Sequence, residues 1–148
     1  MAAFPSQNEL QKLLGSLLAK DVQLTAAGAF APHPSTALGL IDNDDNLVYV
    51  MGSDLAFAHR SGAALAMIPA GGIDSVDEPD ADLIEVYHEV ANVISRAVNE
   101  SSSTRVRLDP GVDLGAERLV SAVTGKPSAI FGVNVDGYGD GTLGIWAT

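Results

Sequence analysis

The longest periodic pattern of apolar and polar residues in the chain lies in residues 82–100, DLIEVYHEVANVISRAVNE. Apolar side chains recur there at spacings of three and four, which is the period of an amphipathic helix. They are Leu83, Ile84, Tyr87, Val90, Ala91, Ile94, Ala97 and Val98. The polar residues between them are Glu85, His88, Glu89, Asn92, Ser95, Arg96 and Asn99. The pattern predicts a long surface helix that begins with an Asp82–Glu85 capping box or with Asp80 as its cap.

Shorter patterns predict the other elements. A Ser6–Glu9 capping box precedes leucines at helical spacing, and Ser53 is expected to cap a second helix that extends to Met67. A third short helix is expected in residues 114–124, ended by Gly125. Segments with strand-like composition are 21–26, 36–41, 46–52, 103–108, 128–135 and 142–147. The polar runs 42–46, DNDDN, and 136–141, DGYGDG, are typical of hairpin turns.

The order of these elements is helix, strands, two helices, strands. It contains no repeat and no low-complexity segment, and 148 residues suit one compact domain. We therefore predict a single α+β domain over residues 1–148, with a mostly antiparallel sheet covered by long helices.

Composition removes several classes of function. The chain has no cysteine, which excludes thiol catalysis and cysteine-ligated metals. Its formal net charge is −11, and its densest basic run is RVR at 105–107, so nucleic acid binding is not expected. The N-terminal residues match neither a signal peptide nor a membrane span. We expect a soluble, cytoplasmic protein.

No metal motif is complete in the sequence. The run DNDDNL has Leu47 where a calcium loop needs glycine and Ser53 where it needs a bidentate carboxylate. The three histidines, His33, His59 and His88, have no spacing that suits a shared metal ion. We therefore expect no metal site.

The polar side of the long helix remains as candidate chemistry. Glu89 and Asn92 are three residues apart, which places their side chains about 5–6 Å from each other on one face. Glu85 lies one turn before Glu89, and Arg96 lies one turn after Asn92. On these residues alone the side is either an ordinary solvated helix face or a binding surface.

Three segments follow one another within residues 36–111: ALGLIDNDDNLVYVMGSDLAFAHRSGAALAMIP, then DLIEVYHEVANVIS with an E-x-x-N motif at Glu89 and Asn92, then STRVRLDPG. In order and spacing they resemble the CheC/CheX family of chemotaxis phosphatases, most closely the single-motif CheX type. The resemblance implies a CheX-like α+β domain that removes the phosphate from a phosphorylated, CheY-like response regulator. Relatives of this type pair through sheet edges, and the apolar segment 128–135 would need cover. A homodimer is therefore also expected.

The resemblance also implies roles for residues. Glu89 would contact the regulator's active-site lysine, and Asn92 would hold a water in line with the aspartyl phosphate. Glu85, His88 and Arg96 would border the contact with the partner. The magnesium ion belongs to the partner's active site, so this chain needs no cofactor. The family usually has Asp or Ser at the position of Glu85 and glycine at the position of Arg96. A catalytically inactive binding domain of the same fold, as in flagellar switch proteins or an orphan interaction module, is the alternative.

Overall fold

The computed structural model describes residues 3–109 and 115–148. Its helices are α1 (Gln7–Leu18), α2 (Leu55–Leu65), α3 (Ala81–Ser101) and α4 (Ala116–Ala122), with short 3-10 turns at Pro34–Thr36 and Ala70–Gly72. Its strands are β1 (Val22–Ala26), β2 (Leu38–Ile41), β3 (Leu47–Ser53), β4 (Arg107–Leu108), β5 (Ser128–Val135) and β6 (Gly139–Ala147). The six strands form one sheet in the order β1-β5-β6-β3-β2-β4, and every adjacent pair is antiparallel. The predicted α+β class and antiparallel sheet are confirmed.

Both faces of the sheet are covered by apolar contacts. The larger core joins the first three helices to one face through buried residues that include Leu14, Phe57, Ile94, Leu143 and Ile145. A smaller cluster on the other face contains Ala37, Val50, Leu119, Val123, Ile130 and Trp146, of which Leu119 lies on α4 and Val123 is the C-cap of that helix. Strand neighbours such as Ile145 and Trp146 belong to different clusters because successive side chains of a strand point to opposite faces. The sheet thus supports α1, α2 and α3 as one layer.

The start and end of α2 differ from the sequence-based prediction. Asp54, and not Ser53, is the N-cap, because its carboxylate accepts hydrogen bonds from the backbone N–H groups of Phe57 at 2.8 Å and Thr142 at 3.1 Å. Ser53 is still part of β3, where it pairs with Leu143. The helix ends at Leu65, before Met67, whose φ of 62° is not helical.

The cap of α3 is Asp80, whose side chain accepts from the N–H groups of Asp82 and Leu83. Of the two starts that the sequence allowed, the cap at Asp80 is therefore correct.

Two other predicted elements differ in length from the observed ones. The predicted strand 103–108 is reduced to Arg107–Leu108. The last hairpin turn is shorter than expected, because Gly139 already pairs with Val135. The short helix predicted for residues 114–124 corresponds to α4, and its first predicted residue, Leu114, lies outside the described residues.

The position of β5 in the sheet argues against a homodimer contact through this strand. The strand lies between β1 and β6, so it is not an edge. The edge strand on that side is β1. Side chains of α1 make hydrogen bonds to its backbone that a neighbouring strand would otherwise make. Gln11 Oε1 accepts from Leu24 N at 2.9 Å, and Gln7 Nε2 donates to Leu24 O at 2.9 Å. Side chains that satisfy edge groups discourage pairing with another chain. A homodimer stays a prediction, without β5 as its contact.

Candidate functional site

The candidate site is the polar stripe of α3, defined here as Glu85, His88, Glu89, Asn92 and Arg96. All five side chains are exposed, as the periodicity of the sequence predicts. The opposite face of the helix is buried, with Tyr87, Val90, Ala91, Ile94 and Val98 all at 0% exposure. Because this face contacts the other helices and the sheet, the helix cannot rotate about its axis without exposing it. The stripe therefore has a fixed orientation toward solvent.

The key side chains of the stripe have no partner within the part of the chain that the structure describes. Neither hydrogen bonds nor ion pairs join Glu85, Glu89, the Asn92 carboxamide or Arg96 to other side chains there. The ring of His88 lies beside that of Tyr87, with centroids 6.1 Å apart. These polar groups are thus available to a second molecule.

Two further polar residues of the helix have structural roles instead. Ser95, expected on the polar side, is buried, and its hydroxyl donates to the backbone oxygen of Asn92 at 2.6 Å. Asn99 uses its side-chain oxygen to accept from Val106 N at 2.8 Å, which holds the segment after α3. Neither is a candidate for binding a partner.

A buried phenol fixes the middle of α3. Tyr87 lies between Glu85 and Glu89 in sequence and points inward, where its hydroxyl donates to Thr36 O at 3.0 Å. Thr36 in turn accepts from Ser53 N through its hydroxyl at 2.9 Å. Burial raises the pKa of Tyr87 above its ordinary value, so the phenol remains a protonated donor. This network connects the stripe's own helix to the end of β3.

A buried histidine fixes the start of α3. His59, on α2, is fully buried. Its Nδ1 lies 2.7 Å from Ser75 O, and its Nε2 accepts from Asp80 N at 3.0 Å. A carbonyl needs a donor and an N–H needs an acceptor, so the proton resides on Nδ1. His59 therefore positions the N-cap residue of α3. This role could not be predicted from the sequence, because the two bonds connect His59 to residues 16 and 21 positions away.

The part of the chain that leads into and contains the stripe has a strongly uneven charge. Between residues 61 and 95 the chain has no Lys or Arg. It has seven acidic residues there, Asp74, Asp77, Glu78, Asp80, Asp82, Glu85 and Glu89. Arg96 is the first cation after them. The helix thus presents carboxylates along its first half and a guanidinium beyond Asn92, an arrangement that favours a partner with positive charge facing Glu85 and Glu89.

The stripe is an exposed helix face. Clefts of about 440 Å³ and about 490 Å³ lie elsewhere on the described part of the molecule. The first is lined by the ends of α1 and α2, with Met67 and Tyr138, and the second by α4, Phe30 and Trp146. Neither includes a residue of α3. An exposed polar face that lines neither cleft suits a macromolecular partner better than a small substrate, which binds in concave sites.

Among the described residues, no group of three or more His, Asp or Glu side chains could hold a metal ion. Within the same ranges, no helix has the length and apolar character needed to cross a membrane.

Comparison with known proteins relates the fold to flagellar switch proteins. No protein-family model matches the sequence, and no curated protein matches it. The structure of FliY from Thermotoga maritima matches with a TM-score of 0.61 and 12% identity, over 97% of this chain and 85% of that one. The FliM middle domain from H. pylori matches with a TM-score of 0.60 and 10% identity, over 95% and 84%. A chain in the FliG–FliM complex from H. pylori matches with a TM-score of 0.63 and 10% identity, over 95% and 85%. The chain therefore has the fold of these FliM and FliY structures, which is CheC/CheX-like.

Proposed function

We propose that this chain docks onto a phosphorylated response regulator through the polar stripe of α3 and hydrolyses the regulator's aspartyl phosphate. The observation that carries the proposal is the pair Glu89 and Asn92. Both are exposed, one turn apart and without partners among the described residues. The helix that bears them is held by Tyr87 and by His59. The proposal places the chain in the cytoplasm with its regulator.

The chemistry that this pair can perform is the positioning of a water molecule. An acyl phosphate is already activated, so orientation of the nucleophile supplies much of the catalysis. The Asn92 carboxamide can accept a hydrogen bond from the water and donate another to the regulator. The water oxygen then forms a bond to phosphorus while the bond from phosphorus to the aspartyl oxygen breaks. The carboxylate leaves with the electron pair, and the water's proton passes to the released phosphate or to solvent.

The role proposed for Glu89 is electrostatic docking. Its carboxylate would pair with a lysine beside the regulator's phosphorylated aspartate, while Glu85 and His88 contact the rim of the interface. The acidic residues of the first half of α3, Asp82, Glu85 and Glu89, support a positively charged partner surface. The magnesium ion that neutralises an aspartyl phosphate would be held by the regulator, so the proposal needs no metal ligand from this chain.

A non-catalytic binding domain is the second candidate. The fold comparison favours it, because one of the similar structures is a complex of FliM with FliG. In that case the stripe would still be a docking face, and bound regulator would keep its phosphate. Hydrolysis assays separate the two candidates, whereas binding assays do not.

Docking is tested by Glu89→Ala. We expect its affinity for a response regulator from the same genome, activated with beryllofluoride, to fall by on the order of 10-fold, because a charge facing the partner's lysine is lost. Calorimetry or interferometry measures the dissociation constant.

The matched control is Glu117→Ala, which removes an exposed carboxylate from α4. It should bind like wild type. Equal affinities for wild type and both variants would show that Glu89 is not part of the interface.

A further inference from the structure

Arg96 is an unexplained cation on the candidate docking face. It lies one helical turn after Asn92, it is exposed, and it has no hydrogen bond or ion pair with any residue that the structure describes. In sequence it is the only Lys or Arg between residues 61 and 104. The carboxylates nearest to it on the same helix, Glu89 and Glu100, do not pair with it.

Arg96 has no evident role in stabilising the helix. Cations stabilise a helix by interacting with its negative end, and this effect is confined to the last turn. The helix extends to Ser101 and has no basic residue in its last turn, so Arg96 lies before the region where it would act. Its guanidinium is therefore free to bind a group on a second molecule.

We propose that Arg96 binds the phosphoryl group of the docked regulator, donating hydrogen bonds from its guanidinium to the phosphoryl oxygens. The inference rests on the proposed docking of a regulator on α3, but it does not require hydrolysis. Arg96 forms and breaks no covalent bond. Its contribution is a positive charge at the group that the water held by Asn92 attacks.

The geometry of the helix supports this assignment. Residues four apart on a helix face the same side, about 5–6 Å between Cβ atoms, so Arg96 can reach a group placed next to Asn92. A guanidinium presents a planar set of donors that matches two phosphoryl oxygens at once. In phosphoryl transfer, negative charge is spread over these oxygens, and an arginine supplied by a partner protein can stabilise it.

The charge of the face gives a second reason. A phosphoryl group that approaches Asn92 also approaches Glu85 and Glu89, and like charges repel. A cation immediately beyond Asn92 offsets this repulsion at the position of the phosphate. The carboxylate of Glu89 would then face the lysine of the partner's active site, and the guanidinium of Arg96 would face the phosphoryl oxygens.

The test compares binding of Arg96→Ala to two forms of one regulator, unmodified and activated with beryllofluoride, which mimics the phosphoryl group. We expect the variant to lose on the order of 10-fold in affinity for the activated form and little for the unmodified form. Arg96→Lys should recover only part of the loss, because an ammonium cannot donate in the same bidentate geometry. Arg118→Ala, which removes an exposed arginine from α4, is the charge-matched control and should bind both forms like wild type.

Each outcome decides the proposal. A loss confined to the activated form supports it, whether or not wild type hydrolyses the phosphate. An equal loss for both forms would show that Arg96 is a docking contact and would overturn the phosphoryl assignment, as would no loss at all. If neither form binds wild type, both this inference and the proposed function are wrong. If wild type binds but leaves the phosphate intact, only the hydrolysis in the proposed function is wrong.

Discussion

Asn92→Ala is expected to reduce hydrolysis of the regulator's aspartyl phosphate by on the order of 100-fold, because the attacking water loses the group that orients it. Affinity for the activated regulator should remain close to that of wild type, since Glu89 and Arg96 keep their contacts. The side chain is exposed and has no partner among the described residues, so the free energy of unfolding should change by no more than about 0.5 kcal/mol. Phosphate release under single-turnover conditions measures the rate.

A control for this substitution is Asn8→Ala, which removes an exposed carboxamide from α1. It should hydrolyse the phosphate like wild type. A second variant, Asn92→Asp, keeps the size of the side chain but removes the amide donor and adds a negative charge, and it should also be slow. An Asn92→Ala protein that retains full activity would show that the water is positioned by another group.

Gly62→Ala is expected to lower the free energy of unfolding by about 1–3 kcal/mol, the usual cost of overpacking. A Cβ at Gly62 on α2 would lie 2.5 Å from the backbone oxygen of Leu83 and 3.4 Å from Tyr87 N, both on α3. A backbone group cannot rotate away, so the two helices must separate. The displacement would also move the stripe, and we expect weaker docking together with the loss of stability. Chemical denaturation and the binding assay measure the two effects.

The matched control is Gly15→Ala in α1. A Cβ there would meet only Lys20 O at 3.4 Å, an ordinary contact. Because alanine favours a helix more than glycine does, the substitution should stabilise the protein by roughly 0.5–1 kcal/mol. If Gly62→Ala behaved in the same way, the close approach of α2 and α3 would not be required for the fold.

The local features of the fold could be predicted from the sequence because they depend on residues close together in the chain. The spacing of Leu83, Tyr87, Val90 and Ile94 gave the length and orientation of α3, and the polar runs between apolar segments gave the two hairpins. The start of α2 could not be predicted in this way, since Ser53 and Asp54 are both residue types that cap helices. The choice between them depends on Thr142 N, which also binds the Asp54 carboxylate from 88 residues away.

The contacts that position the site join residues far apart in the chain, and the spacing of apolar residues does not predict such contacts. The bond from Tyr87 to Thr36 spans 51 residues, and the one from Asp80 to His59 spans 21. The close packing at Gly62 depends on where α3 crosses α2. The central position of β5 likewise depends on which strands pair. For the site itself, the exposure of Glu85, His88, Glu89, Asn92 and Arg96 follows from helical period alone, whereas the roles proposed for them come from the family resemblance and the chemistry of their side chains.

Hydrolysis by this chain is tested by the half-life of the phosphoryl group on a response regulator from the same genome. The regulator is phosphorylated with a small-molecule donor, freed of excess donor, and followed with and without the wild-type chain. We expect the half-life to shorten as the concentration of the chain rises until the regulator is saturated, and Asn92→Ala to weaken this acceleration by on the order of 100-fold. A half-life that stays unchanged at concentrations where binding is complete would contradict hydrolysis by this chain.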